Sequence, residues 1–218
     1  MRLDEKSIHD LVVDIYDGAT DSARWEQALV RLSDSTHSVG AMVRHCDRLH
    51  PERSRCFLGR LDVVLTHRFF KCYASRAPWV RWANNALPGT TFSTDRVVPT
   101  EELVKTEFYG EILRPQRILH GGGALLARDS ERVLAISLLR SPGIGPVDEE
   151  PLRLLSLVGP HFKRAAQIAW RLGTLTAVDA AKTFALDGLD HGVLLIDAGG
   201  RVLFANRAAP AGWWRLTS

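Results

Sequence analysis

His120-Gly121-Gly122-Gly123 has the form of a backbone oxyanion loop, which would stabilise the negative charge of an acyl-transfer intermediate. Such a loop works only beside a nucleophile elbow, Gly-x-Ser-x-Gly, and the sequence contains none; Thr36-His37-Ser38-Val39-Gly40 fails at its first position. The glycines then read as the start of a strand to which another backbone comes close. Gly143-Ile144-Gly145 is followed by Asp148 where a dinucleotide fingerprint requires glycine, and no Gly-x-x-x-x-Gly-Lys-Ser/Thr phosphate loop occurs. His45, Cys46, His50 and Cys56 are metal-ligating types, but no paired spacing such as Cys-x2-Cys is complete. Cys56, with Arg53, Arg55 and Arg60 nearby, is a thiol that positive charge could activate, which keeps a thiol oxidoreductase as the least favoured reading. The expectation is a protein that is not an enzyme and holds no cofactor and no metal.

Aromatic side chains are the better lead. Phe70, Tyr73, Trp79, Trp82 and Phe92 crowd around an irregular segment from Trp79 to Pro99, and Phe108 and Tyr109 follow. Small-molecule sites are concave and apolar, with a few polar groups to orient the ligand, and Trp and Tyr each offer a large face and one donor. Two readings are open: the rings fill a core beneath a long loop, or they line a pocket. In the second, the expected ligand contacts are Trp79, Trp82 and Tyr109, with His120 and Arg140.

The elements that position these residues follow from the apolar pattern. Ile8, Leu11, Val12 and Ile15 form a helical stripe ended by Asp17-Gly18. Asp21 or Ser22 caps a second helix with Trp25, Ala28, Leu29 and Leu32 on one side. Short strands are expected at Val39–Cys46 and Arg55–Gly59, and a third helix at Asp62–Ala74 with Leu61, Leu65, Phe69 and Cys72 inward. Short helices begin at Thr100 and near Phe108. Leu119–Ala127 and Arg132–Leu139 form a hairpin turning at Asp129-Ser130-Glu131. Asp148–Leu172 is one long helix, and Leu155, Val158, Phe162, Ala165, Ala169 and Leu172 give it a narrow, near-heptad seam suited to a homodimer interface. A second hairpin, Gly192–Asp197 and Arg201–Asn206, follows a linker. Hairpins segregated from helices predict an α+β fold, an antiparallel sheet with helices against one face.

The 218 residues suffice for one domain and part of a second, and 45% apolar residues suffice for a core. A net charge of +3 makes no nucleic-acid footprint. Three cysteines, Cys46, Cys56 and Cys72, make no disulfide framework, the N-terminus is charged, and no long apolar run is present; a cytoplasmic protein without membrane attachment is expected.

Four segments in order, LVVDIYDGATDSARWEQALVRLSD (11–34), EFYGEILRPQRILHGGGALLARDSERVLAISLLRS (107–141), LVGPHFKRAAQIAWRL (157–172) and LDGLDHGVLLIDAGGRVLFANRAA (186–209), resemble the N-terminal part of LuxR-type helix-turn-helix regulators. The resemblance implies a GAF/PAS-like sensory domain over 1–173, a linker over 174–190 and a shortened PAS-like segment over 191–218. It implies a part that senses a small molecule for transcription regulation, and contact with DNA only through a helix-turn-helix that these residues lack; a homodimer is expected from the seam of the long helix and because two-fold dimers are the commonest oligomers. An interaction module without ligand is the alternative. Trp213 and Trp214 are expected to be covered by this chain or a partner.

Overall fold

The computed structural model describes residues 5–197 and 201–209, so Trp213 and Trp214 lie outside the described residues. The chain divides into two bodies, one ending at Ala169 and the other beginning at Trp170.

The first body opens with helices α1 (Glu5–Asp17) and α2 (Ser22–Ser35). Asp21 caps α2 by accepting from the Ala23 N–H at 3.0 Å. Strands β1 (Gly40–Asp47) and β2 (Arg55–Gly59) precede α3 (Val63–Cys72), whose cap is Asp62. A short helix α4 (Val80–Asn85), strand β3 (Thr91–Ser93), a helical turn α5 (Thr100–Leu103) and one π-helical turn (Tyr109–Leu113) follow. The hairpin of β4 (His120–Arg128) and β5 (Arg132–Arg140) leads to the long helix α6 (Glu149–Asp187). Five strands form one antiparallel sheet in the order β2-β1-β5-β4-β3. The segment expected to be irregular thus supplies the edge strand.

Helices cover both faces of this sheet, not one. Successive strand residues point to opposite faces. Ala41 and Val43 of β1 with Leu134, Ile136 and Leu138 of β5 pack against α1, α2 and α6. Met42, Leu58 and Leu139 pack on the other side, against Leu61, Tyr73, Phe108, Ile112 and Ile118. Trp25 is the centre of the first core: its ring stacks on Phe57 of β2 at 5.2 Å and on Phe162 of α6 at 5.8 Å. Cys72, expected inward on α3, is exposed.

The proposed dimer seam has another partner. Leu155, Val158, Phe162 and Ala165 are fully buried in the first core, and Ala169 packs against it; only Leu172 is well exposed, at 42%. A helix lying on a sheet needs the same recurring apolar positions as a helix lying on a helix, so spacing alone did not reveal what the seam met. Leu155, Val158 and Phe162 each contribute about 1.5–3 kcal/mol by leaving water.

In the second body α6 runs on to Asp187, through the residues expected to form a linker. Strands β6 (Leu194–Ile196) and β7 (Val202–Ala205) pair as the second hairpin. Asn206 knots this body together: its amide donates to the carbonyls of Leu186 (2.8 Å) and His191 (2.9 Å) and accepts from the Val193 N–H (2.7 Å).

Candidate ligand site

On the second face of the sheet lies a hollow of about 50 Å³. Met42 and Leu139 form its floor, Thr66 and Phe69 of α3 one wall, and Phe108, Ile112 and Leu113 another. Trp79, just before α4, completes it. The rings interlock around Phe108, with centroids 5.3 Å from Trp79, 5.4 Å from Phe69 and 5.7 Å from Tyr73. The polar side chains on the lining are Thr66, Gln116 and Trp79. Gln116 is engaged at both ends: it accepts from the Asp62 N–H at 3.0 Å and donates to the Ile112 carbonyl at 2.9 Å.

Behind the hollow, the Tyr73 hydroxyl donates to Oε2 of Glu111 at 2.7 Å, and the same carboxylate oxygen pairs with Arg68. The Glu111 carboxylate, then burial, then Glu107 push the Tyr73 phenol up to about 12, since each disfavours a second negative charge.

A second, open cleft of about 600 Å³ lies along β3. Trp82 and Phe92 meet there at 4.4 Å, beside Asn85, Thr91, Ser93 and Arg96.

The five expected ligand contacts are therefore not brought together. Trp79 lines the hollow, and Tyr109 packs against the same cluster without lining it. Trp82 lines the other cleft. His120 and Arg140 are register partners on β4 and β5, two residues along from the Gly122–Leu138 pair that faces the first core; strand parity puts both on the face opposite the hollow. Arg140 is engaged on the first-core side: Nε and Nη2 donate to the Thr36 carbonyl at 3.1 and 2.7 Å, Nη1 to the Pro146 carbonyl at 2.7 Å, and Asp148 pairs with Nη1 at 3.7 Å. His120 is buried with Nδ1 2.6 Å from Asp95, tying the edge of the sheet to β4. Phe69, Phe108 and Leu139 were not expected as contacts. The signal was in β5, where Leu138 and Leu139 are adjacent and apolar, the mark of a strand covered on both sides.

The motif residues resolve in structural terms. A Cβ on Gly122 would come within 2.8 Å of Val147, so the glycine run lets α6's approach segment close on β4. His45 and Cys46 are neighbours on β1 and point to opposite faces. Among the described residues no group of three or more His, Cys, Asp or Glu could hold a metal ion. Burial pushes the Cys56 thiol up to about 12, the reverse of what a nucleophile needs, and no cysteine lines either hollow. Among the described residues no helix is long and apolar enough to cross a membrane.

No family model and no curated protein matches the chain. Solved structures do. The VqsR ligand-binding domain from Pseudomonas aeruginosa is 16% identical, with a TM-score of 0.56 over 75% of this chain and 96% of that one. The N-acylhomoserine lactone dependent LuxR family transcription factor CepR2 from Burkholderia cenocepacia is 13% identical, with a TM-score of 0.47 over 73% of this chain and 93% of that one. The chain has the α+β fold of the VqsR ligand-binding domain.

Proposed function

We propose that this chain is the signal-receiving part of a LuxR-type transcription regulator and that it takes an apolar small molecule into the hollow between the sheet and α3. One observation carries the reading: an almost wholly apolar, ring-lined hollow on the second face of a sheet, in a chain with the fold of a ligand-binding domain. Thr66, Trp79 and the second N–H of Gln116 are the donors on the lining that would orient the ligand. The reading assigns the chain no reaction and places it in the cytoplasm, where a DNA-contacting part would act. Assembly as a two-fold homodimer belongs to it, since closed two-fold dimers are the commonest oligomers. That interface would use side chains outside the core, such as Leu157 of α6, which is 52% exposed.

The small size of the hollow favours a second reading, an interaction module with no ligand. Pockets for drug-sized ligands measure roughly 300–1,000 Å³, and about 50 Å³ accommodates little beyond water. The two readings separate in a thermal-shift experiment with straight-chain acids, acylated lactones and aromatic ketones. A ligand-bearing domain unfolds at higher temperature with one of these classes; the rise survives Trp82→Ala and disappears in Trp79→Ala. A panel without any rise leaves the interaction module.

A further inference from the structure

We propose that residues 107–113 form a lid over the hollow, held shut by the grip of Tyr73 and Arg68 on the Glu111 carboxylate, and that uptake of ligand requires this latch to release. The inference rests on the ligand-binding reading of the hollow.

The walls differ in how they can move. The floor, Met42 and Leu139, belongs to paired central strands. Thr66 and Phe69 belong to α3, a capped helix of ten residues. Phe108, Ile112 and Leu113 belong to one short segment containing a π turn, a geometry rarely used except as a local departure from α-helix and often found at functional sites. A ligand of ordinary size needs several times the volume present, so side chains must give way. Phe108 is the largest side chain on this wall, and its ring meets those of Phe69, Tyr73 and Trp79 together.

The same segment carries Glu111. One oxygen, Oε2, receives both the Tyr73 hydroxyl and Arg68, the only polar ties that run from the π turn's own side chains to the region of α3 among the described residues. Either end of the segment is anchored. Thr106 accepts from the Tyr109 N–H at 3.1 Å and donates to the Leu103 carbonyl at 2.6 Å. Gln116 bridges Asp62 and Ile112. Thr106 and Gln116 lie just outside residues 107–113 and can serve as hinges while that segment swings. The latch is also reachable by water: Glu111 is 34% and Arg68 51% exposed, so its bonds can be exchanged for hydration. The Tyr73 phenol has a single proton to donate, and Glu111 receives it. A ligand that occupies the enlarged hollow shifts the population toward the open lid by binding that state alone.

The test is stopped-flow uptake of Nile red, a neutral apolar dye, by the full chain. Glu111→Ala removes both donors' acceptor and raises the uptake rate by roughly tenfold or more, as expected for lost bonds to a charged group. Arg68→Ala removes a half-exposed ion pair and raises it roughly two- to fivefold. Gly110→Ala, whose methyl meets nothing within 4 Å, favours the helical lid and lowers the rate. Thr66→Phe fills the hollow and abolishes the signal. If Glu111→Ala fails to fold, Arg68→Ala carries the test from an exposed position. Equal rates in wild type, Arg68→Ala and Glu111→Ala, with the signal lost in Thr66→Phe, overturn the latch and leave the pocket standing. Absence of dye binding in every protein, or a signal that persists in Thr66→Phe, removes the pocket and the lid with it.

Discussion

Tyr73 and Glu111, thirty-eight residues apart, are joined by a hydrogen bond of 2.7 Å from the phenol to the carboxylate. Ionising that phenol would place two negative oxygens in contact. The neutral phenol is therefore favoured in the folded chain, and its pKa is raised from 10 to about 12. Stability from this source is complete below pH 10 and is lost as pH rises through 12. Titration of phenolate absorbance in the folded protein should show one of its three tyrosines ionising late. That step should vanish in Tyr73→Phe; an unchanged curve would show that the bond is not formed in solution.

Acid acts at the far end of β1. Burial, the first cause, lowers the His45 pKa below its ordinary 6.5, with Arg132 and Arg55 adding to the effect and Asp47 opposing it. The folded chain thus prefers neutral imidazole, so this contribution is present above pH 6.5 and is lost as pH falls below it. Asp47 follows at lower pH: the His50 N–H at 2.8 Å holds its carboxyl below 3.8, and that stabilisation is lost as pH falls through the lowered value. Thermal unfolding followed from neutral pH downward should show two successive losses. His45→Gln should flatten the first and leave the second.

Much of the frame was legible in the sequence because local chemistry decides it. Asp129 accepts from the N–H groups of Glu131 and Arg132 at 2.8 and 2.7 Å, so the β4–β5 turn could be placed from three residues. Arg55–Gly59 and the stripe of α1 fell where their patterns put them. Strand β3 has three residues, too few for alternation to register, and owes its conformation to pairing with Gly122, Gly123 and Ala124. The apolar seam ends at Leu172, yet α6 continues to Asp187, because helix does not require a buried stripe to persist. The site was legible only as an aromatic neighbourhood. Trp79 and Trp82 are three residues apart and line different hollows, a division that depends on how α4 sits and not on composition. His120 and Arg140, the two expected polar contacts, lie on the sheet but away from the hollow. Strand parity sends them to the other face.

Arg140 should therefore behave as a structural residue. Its guanidinium satisfies the Thr36 and Pro146 carbonyls, which join the end of α2 to the approach of α6. Arg140→Ala leaves the buried Thr36 carbonyl without its charged donor and should cost roughly 1.5–3 kcal/mol in urea unfolding. The dye uptake that reports on the hollow should be unaffected under conditions where the variant is folded. A selective loss of uptake at full stability would return Arg140 to the ligand site.

The fate of the α6 seam can be decided by the concentration dependence of stability. Leu155 and Phe162 are fully buried among α1, α2 and the sheet, whereas Leu157, two residues along from Leu155, is 52% exposed. Leu155→Ala and Phe162→Ala each leave a cavity within one chain. They should cost about 2–5 kcal/mol, the same at every protein concentration, because no second molecule is needed to fill the site. Leu157→Ser should change unfolding by less than about 0.5 kcal/mol, as exposed substitutions do. If Leu157 belongs to a dimer interface, the same change should instead lower the sedimentation-derived association constant. Were Leu155→Ala to weaken association while leaving the dilute monomer's stability intact, the seam would have to face a second chain, and the packing of α6 on the sheet would be wrong.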